Sequence, residues 1–278
     1  MTYLPEAELI RKGLEKEVVG KRFKSVTVRS PGTVQRHRNR PDFAKVLEGR
    51  KIIAVTRRGT RIVLDLDDGS SLVMMLGAEG VLSRETANAT AGAQTQVVLT
   101  FTTGGSLHLA DPTQGAELFV AATEALDDIP ELSPGGIDPL AATFTWQAFG
   151  HYLTGRKQPL KVLLQDETFV LGLGELYTDE ILWVAGLAGD RLSLSLSSQE
   201  IRRLYRALFE VLYEAMKQGG TSEDGEGGYA DLEGELGEYG KQLSVHGRAG
   251  LPCPRCRRPI TLDKVEGLPI YYCDSCQT

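Results

Sequence analysis

The sequence predicts an α+β protein in which a β-rich N-terminal part is followed by a helical part and a small metal-binding hairpin. Three observations lead to this fold class: strand-like runs punctuated by glycine in the first half, helical periodicity in the second, and four cysteines in the last 26 residues. A chain of 278 residues is long enough for two domains of ordinary size. No apolar run is long enough to cross a bilayer and the start has no apolar signal core, so we expect a cytoplasmic protein.

The predicted N-terminal domain, residues 1–130, begins with an amphipathic helix over residues 4–19, because Leu9, Ile10 and Leu14 share one face. Strand-like runs follow at residues 50–57, 61–66, 72–76, 97–101 and 107–109. The sequence Asp67-Asp68-Gly69 predicts a hairpin turn, which explains these carboxylates without a magnesium or calcium site. Such a succession of short strands indicates a β-sandwich with an attached helix.

A linker over residues 127–140, with three prolines and two glycines, leads into the predicted helical domain, residues 131–218. Helices are predicted at residues 145–153, 159–165, 175–184 and 198–216. Residues 219–245 are predicted to form an acidic, glycine-rich loop, since residues 219–240 hold eight glycines, seven acidic residues and no basic residue. We expect such a segment to be mobile and to bury no core.

The last predicted unit, residues 246–278, is a zinc finger. Two Cys-x-x-Cys motifs, Cys253 with Cys256 and Cys273 with Cys276, are separated by sixteen residues. Each motif offers two thiolates to one side of an ion, so the pair predicts a tetrahedral zinc site on a hairpin, and four protein ligands make that zinc structural. Redox disulfides and free buried thiols are the alternatives, and both are less expected in a cytosolic chain.

The charge is distributed unevenly along the chain. Residues 1–61 contain sixteen Lys and Arg against six Asp and Glu, a net charge of +10, which leaves −16 for the other 217 residues. This asymmetry predicts a basic face that binds an anionic polymer such as DNA. A solvated surface on which charges happen to cluster is the alternative.

Several segments occur in an order that resembles the formamidopyrimidine-DNA glycosylase/endonuclease VIII family. They are LPEAELIRKGL, the Arg-Arg-Gly sequence at residues 57–59, LDLDDGSSLVMMLGAEG, Asp111-Pro112, KVLLQDETFVLGLGELYTDEILW and the terminal cysteine hairpin. The resemblance covers essentially the whole chain. It implies a β-sandwich domain, a helical domain with a helix–two-turn–helix, a zinc finger, and a monomer that binds damaged double-stranded DNA between its domains.

The N-terminal sequence departs from the family, whose MPELPE is replaced by MTYLPE. In the family, the proline amine exposed by methionine removal attacks the sugar C1′, and the adjacent glutamate assists proton transfer. A Thr2 amine, with a pKa of about 8, could still form the Schiff base. Tyr3 cannot replace the carboxylate near neutral pH, because a phenol titrates near about 10. The candidate catalytic residues are therefore Thr2 and, as a substitute proton carrier, Glu6.

Other positions have also lost the side chains that the family uses on DNA. The lysine after Arg-Arg-Gly is Thr60, the methionine that fills the gap left by an everted nucleotide is Ala78, the phosphate-binding asparagine is Glu175, and the arginine of the zinc hairpin is Leu268. The remaining predicted DNA contacts are Arg57, Arg58, Lys161 and Gly174.

Three functional hypotheses follow. The first and favoured one is a DNA-binding repair protein of this fold with a degenerate active site. The second is an atypical glycosylase/AP lyase that uses the Thr2 amine, and the third is a protein-interaction module that no longer binds DNA.

Overall fold

The computed structural model describes residues 2–142, 144–222 and 229–278. Helices and antiparallel sheets confirm the predicted α+β class. The chain forms two compact units, the first comprising Met1–Ser133 with Gln218–Gly240 and the second Pro134–Lys217 with Lys241–Thr278. Among the described residues, no helix has both the length and the apolarity needed to cross a membrane.

The first unit contains two antiparallel four-stranded sheets and two helices. The strand orders are β1-β6-β7-β5 and β2-β3-β4-β8. The elements are α1 (Leu4–Val18), β1 (Phe23–Val28), α2 (Arg40–Leu47), β2 (Ile52–Arg58), β3 (Arg61–Leu66), β4 (Ser70–Met75), β5 (Val81–Glu85), β6 (Thr95–Phe101), β7 (Ser106–Ala110) and β8 (Glu117–Ala122).

Apolar residues at helical or strand spacing form the core of the first unit. Ile10, Leu14 and Val18 recur at helical spacing on α1 and are buried, while Ile62 and Leu64 alternate along β3 toward the same apolar core. The predicted turn after β3 is present: the Asp68 side chain accepts hydrogen bonds from Ser70, and Gly69 adopts φ +80°.

Four elements of this unit were not predicted, namely β1, α2, β5 and β8. β1 is only half buried and mixes Lys24 and two hydroxyl residues with its apolar ones, so its alternation is short and weak. α2 has eight residues, and its start depends on a local cap in which Asn39 Oδ1 accepts the Asp42 N–H at 2.9 Å.

The acidic segment packs against the first unit, contrary to prediction. Residues 223–228 lie outside the described residues, but Tyr229 and Leu232 are buried in the core that contains α1. The Leu232 carbonyl accepts the Arg84 N–H at 2.7 Å. The prediction that residues 219–240 bury no core was therefore wrong for the described part of the segment, because apolar side chains among the acidic ones reach the core.

The second unit consists of four helices and a hairpin: α3 (Trp146–Thr154), α4 (Leu160–Gln165), α5 (Gly174–Ala185), α6 (Ser198–Lys217), β9 (Thr261–Val265) and β10 (Leu268–Tyr272). All four predicted helices are present, with no end shifted by more than one residue. Nine of the twelve residues of α5 are buried, and α5 packs against α4, α6 and β10. α5 is thus the central element of this unit.

Candidate functional site

The four cysteines lie together at the base of the β9–β10 hairpin. One Cys-x-x-Cys motif precedes β9 and the other follows β10, and the antiparallel register pairs Thr261 with Tyr272, which brings the two motifs side by side. The four Sγ atoms all lie within 4.8 Å of one another. None of these cysteines forms a disulfide, so the cluster can bind a metal ion.

The thiol of Cys253 is set up to ionise. Burial, the largest influence, disfavours the thiolate, but the backbone N–H groups of Cys256 and Arg255, the Trp183 side chain and the Cys273 thiol together lower the pKa of Cys253 to about 6. Burial raises the pKa of Cys273 and of Cys276, so the surroundings favour the metal-binding thiolate at Cys253 and not at those two cysteines.

A buried ion pair connects α4 and α5 in the second unit. Lys161 Nζ lies 2.6 Å from Asp179 Oδ1, and neither side chain is exposed to solvent. Burial lowers the pKa of Lys161, while Asp179 opposes that change. The prediction that Lys161 contacts DNA is therefore corrected: an ammonium group without exposed surface cannot reach a phosphate in this conformation.

Two neighbouring carboxylates of α5 hold the segment that leads to the hairpin. Asp179 Oδ2 lies 2.9 Å from His246 Nδ1 and accepts the Tyr271 N–H at 3.3 Å. Glu180 accepts the N–H groups of residues 244–246, each at 2.9 Å. Burial raises the pKa of Glu180, and these three N–H groups oppose that rise. α5 thereby fixes the segment that precedes the first cysteine motif and the strand that leads into the second one.

The glycine turn that opens α5 is present where the sequence places it. Gly172 and Gly174 adopt φ of +66° and +59°, a region that favours glycine. Gly174 is the first residue of α5, and Glu175 follows it on the exposed surface. A carboxylate here meets the positive end of the helix dipole and repels an anion. That Gly174 contacts DNA stays a prediction.

The N-terminal residues lead directly into α1. Thr2 and Tyr3 are half-buried, and Tyr3 is the N-cap residue, although its side chain does not cap the helix. Glu6 is fully buried, and its Oε1 accepts the Thr221 N–H at 2.8 Å. This bond gives Glu6 a structural contact with the start of the acidic segment. Catalytic roles for Thr2 and Glu6 stay predictions.

The two arginines at the end of β2 differ in exposure. The Arg57 side chain is only 7% exposed, and its Nε lies 2.8 Å from Glu8 Oε2. Arg58 is 29% exposed and pairs with Asp127. Arg57 is therefore held within the first unit by α1, and Arg58 has more of the surface that a DNA contact needs; for both residues DNA binding stays a prediction.

Two loops that carry family-specific side chains are also defined. Ala78 and Glu79 are exposed between β4 and β5. In the other loop, Asp111 accepts the N–H groups of Thr113 and Ala116 at 2.9 and 2.7 Å. The role of either loop on DNA stays a prediction.

Sequence patterns gave little indication of three residues in the part of the second unit that holds the cysteines. His246 falls in no ligand or triad spacing and is assigned no role from the sequence, yet it contacts Asp179. Trp183 and Arg255 lie against the Cys253–Cys256 pair, with the Arg255 guanidinium 3.8 Å from the Trp183 ring centroid. Arg255, inside the motif, is the only one of the three whose position in the sequence offers a signal.

Comparison with known proteins agrees with this architecture. The family model for the formamidopyrimidine-DNA glycosylase N-terminal domain matches residues 1–117, and the model for the formamidopyrimidine-DNA glycosylase H2TH domain matches residues 136–225. The formamidopyrimidine-DNA glycosylase of Pelotomaculum thermopropionicum is 34% identical over 277 residues, which cover 100% of this chain and 99% of that protein. The Thermus thermophilus enzyme of the same name is 36% identical over 277 residues, covering 100% and 98%.

Solved structures give the same result. The MutM (Fpg) protein of Thermus thermophilus matches with a TM-score of 0.83 and 35% identity, over 99% of this chain and 98% of that one. Lactococcus lactis Fpg, solved in complex with DNA containing an abasic site, matches with a TM-score of 0.89 and 28% identity over 99% of both chains. The protein therefore belongs to the formamidopyrimidine-DNA glycosylase family.

Proposed function

We propose that this protein binds double-stranded DNA at abasic or damaged sites and does not carry out the glycosylase/AP-lyase reaction of its family. The binding part of the proposal rests on family membership and on solved relatives such as Lactococcus lactis Fpg, whose complexes contain abasic or modified DNA. The net charge of +10 in residues 1–61 supports it, because Lys and Arg contacts to phosphates supply most of the affinity for a duplex.

The observation that carries the loss of chemistry is Tyr3. It stands at the position before α1 where the family resemblance requires a carboxylate, next to Thr2 in place of the proline. Opening the sugar and eliminating the phosphate need a group that accepts and returns protons near neutral pH, and a phenol does this poorly. Removal of Met1 is needed to expose the Thr2 amine, and that nucleophile then lacks its proton-transfer partner.

Base eversion is weakened at the same time. The exposed Ala78 is too short to fill the gap left by a flipped nucleotide, and Glu79 beside it repels a phosphate backbone. Glu175 and Leu268 replace two phosphate-binding side chains expected from the resemblance. These changes favour binding to DNA that is already distorted or abasic, since such DNA needs less energy to open.

We further propose that the ion bound by the four cysteines is zinc, held as a structural centre. Four thiolates within 4.8 Å of one another satisfy tetrahedral zinc and leave no position for a catalytic water. When bound, zinc supplies folding energy to the hairpin and no step of a reaction. Elemental analysis of the purified protein should give one zinc per chain.

The central experiment is borohydride trapping with a duplex that contains one abasic site, together with intact-mass measurement of the protein. The expected result is no covalent adduct under conditions in which fluorescence anisotropy shows binding. An adduct mapped to Thr2 would mean that the amine still performs lyase chemistry. The matched control is the double substitution T2P/Y3E, which restores both family residues and should gain a trapped adduct.

A further inference from the structure

The indole N–H of Trp183 is a buried donor in an apolar setting. Trp183 is 8% exposed, and its Nε1 has no oxygen or nitrogen acceptor among the described residues. A buried N–H without an acceptor costs free energy, so such donors are rare in folded proteins.

A cysteine sulfur of the metal centre can serve as the acceptor for this N–H group. Trp183 packs in one cluster with Cys253 and Cys273, together with Val245 and Ile260. The Arg255 guanidinium, which stacks on the Trp183 ring, belongs to the same motif as Cys253, so the indole lies beside this motif. A neutral thiol is a weak acceptor, whereas a thiolate is a charged one. The donor is therefore poorly satisfied by a free thiol and well satisfied once Cys253 is a metal ligand.

Arg255 holds this arrangement together. Its guanidinium stacks on the Trp183 ring, and its Nη1 and Nη2 donate to the carbonyls of Trp183 and Val184 at 2.6 and 3.2 Å. Those carbonyls belong to the last turn of α5, and Arg255 lies between Cys253 and Cys256. The first cysteine motif is thus fastened to the C-terminal end of the central helix.

We propose that Trp183 is a positioning residue of the metal centre, whose indole N–H donates to the metal-bound thiolate of Cys253. The proposal rests on the zinc proposal above. The hydrogen bond orients the thiolate and neutralises part of its charge, which strengthens metal retention. It also couples the metal to α5, because the donor is part of that helix.

The test compares zinc release from two single-tryptophan variants of the full-length protein. W183F keeps an aromatic ring and removes the N–H. W146F changes the other tryptophan, which begins α3, stacks with Arg202 and lies outside the cysteine cluster. Zinc-loaded protein is mixed with a chromophoric chelator, and release is followed by absorbance. We expect W183F to release zinc about 10- to 100-fold faster than W146F, the range typical for a residue that supports a metal ligand.

Two further readouts separate the hydrogen bond from packing. Replacing Trp183 by 3-benzothienylalanine keeps the ring shape and removes only the N–H, and it should release zinc as fast as W183F. In W146F, where Trp183 is the remaining tryptophan, chelation should change the fluorescence spectrum.

Wild-type rates of zinc release in both position-183 variants would overturn the proposal. Fast release from W183F, with a wild-type rate in the 3-benzothienylalanine variant, would also overturn it, because lost packing and not the lost N–H would then explain the effect. Protein that contains no zinc at all would instead overturn the zinc proposal.

Discussion

At the scale of single residues, the pair of Lys161 and Asp179 shows why a charged residue in a helix cannot be assigned to a surface from sequence alone. The pair is closed to solvent, and Asp179 also contacts His246 and the Tyr271 N–H. Two buried charges are tolerated only when each has partners, so loss of one partner is more damaging than loss of both. The pair holds α4 and α5 to the segments that flank the cysteines.

We expect K161M to lower the free energy of unfolding by about 3–5 kcal/mol, because Asp179 is left as a buried charge without its cation. The double substitution K161M/D179N should recover part of that loss, since the remaining amide carries no charge. Urea unfolding followed by circular dichroism measures both. K217M is the control: Lys217 and Glu214 form an exposed pair on α6, worth less than about 1 kcal/mol. Equal effects of K161M and K217M would contradict the structural role.

The metal ligands could be predicted residue by residue, while their neighbours could not. Two Cys-x-x-Cys motifs specify a cluster because the spacing within each motif is a local property of the chain. The contact of His246 with Asp179 joins residues far apart in sequence, and no local spacing encodes it. The burial of Lys161 is a property of the helices packed around it.

At the scale of elements, helices with a regular apolar stripe could be predicted from the sequence. Short strands that depend on pairing with a neighbouring strand could not. α6 and α1 carry apolar stripes that only a helix brings to one face, and both were found within two residues of their predicted ends. β5 and β8 are short strands completed by pairing with β7 and β4, which a local pattern does not contain. The acidic segment was misjudged because composition averages over the few apolar residues that anchor it.

The anchoring of the acidic segment by Leu232 gives a prediction at this scale. L232A should lower the free energy of unfolding by about 2–4 kcal/mol, because the side chain is 2% exposed and fills a core position against α1. A Cβ placed on Gly13 would lie 3.0 Å from Leu232 Cδ1, so the space is already filled.

The matched control for this prediction lies in the same segment. Leu236 is 62% exposed, and L236A should change stability by less than about 0.5 kcal/mol. Limited proteolysis should cut L232A within residues 218–240 faster than it cuts L236A. Equal stability and equal cleavage of the two variants would mean that the segment does not depend on this contact.

At the scale of the whole molecule, the charge distribution is the feature that composition alone conceals. The net charge of −6 would argue against a DNA-binding protein, yet the first 61 residues carry +10. Several of these cations are committed to internal pairs: Arg22 with Asp67, Arg36 with Glu117, and Arg57 with Glu8. Lys24 and Arg38 are exposed, which leaves them accessible to a phosphate.

Binding to an abasic duplex should therefore depend steeply on salt. If about five phosphates are contacted, the association constant falls about 500-fold between about 50 and about 200 mM salt, because each contact releases condensed counterions. Fluorescence anisotropy with a labelled duplex gives the slope of log K against log salt. K24Q/R38Q should reduce that slope by about 2, whereas K217Q, outside the basic region, should leave it unchanged. An affinity that is flat with salt would favour a protein partner for this fold, because apolar and hydrogen-bonded contacts release no counterions.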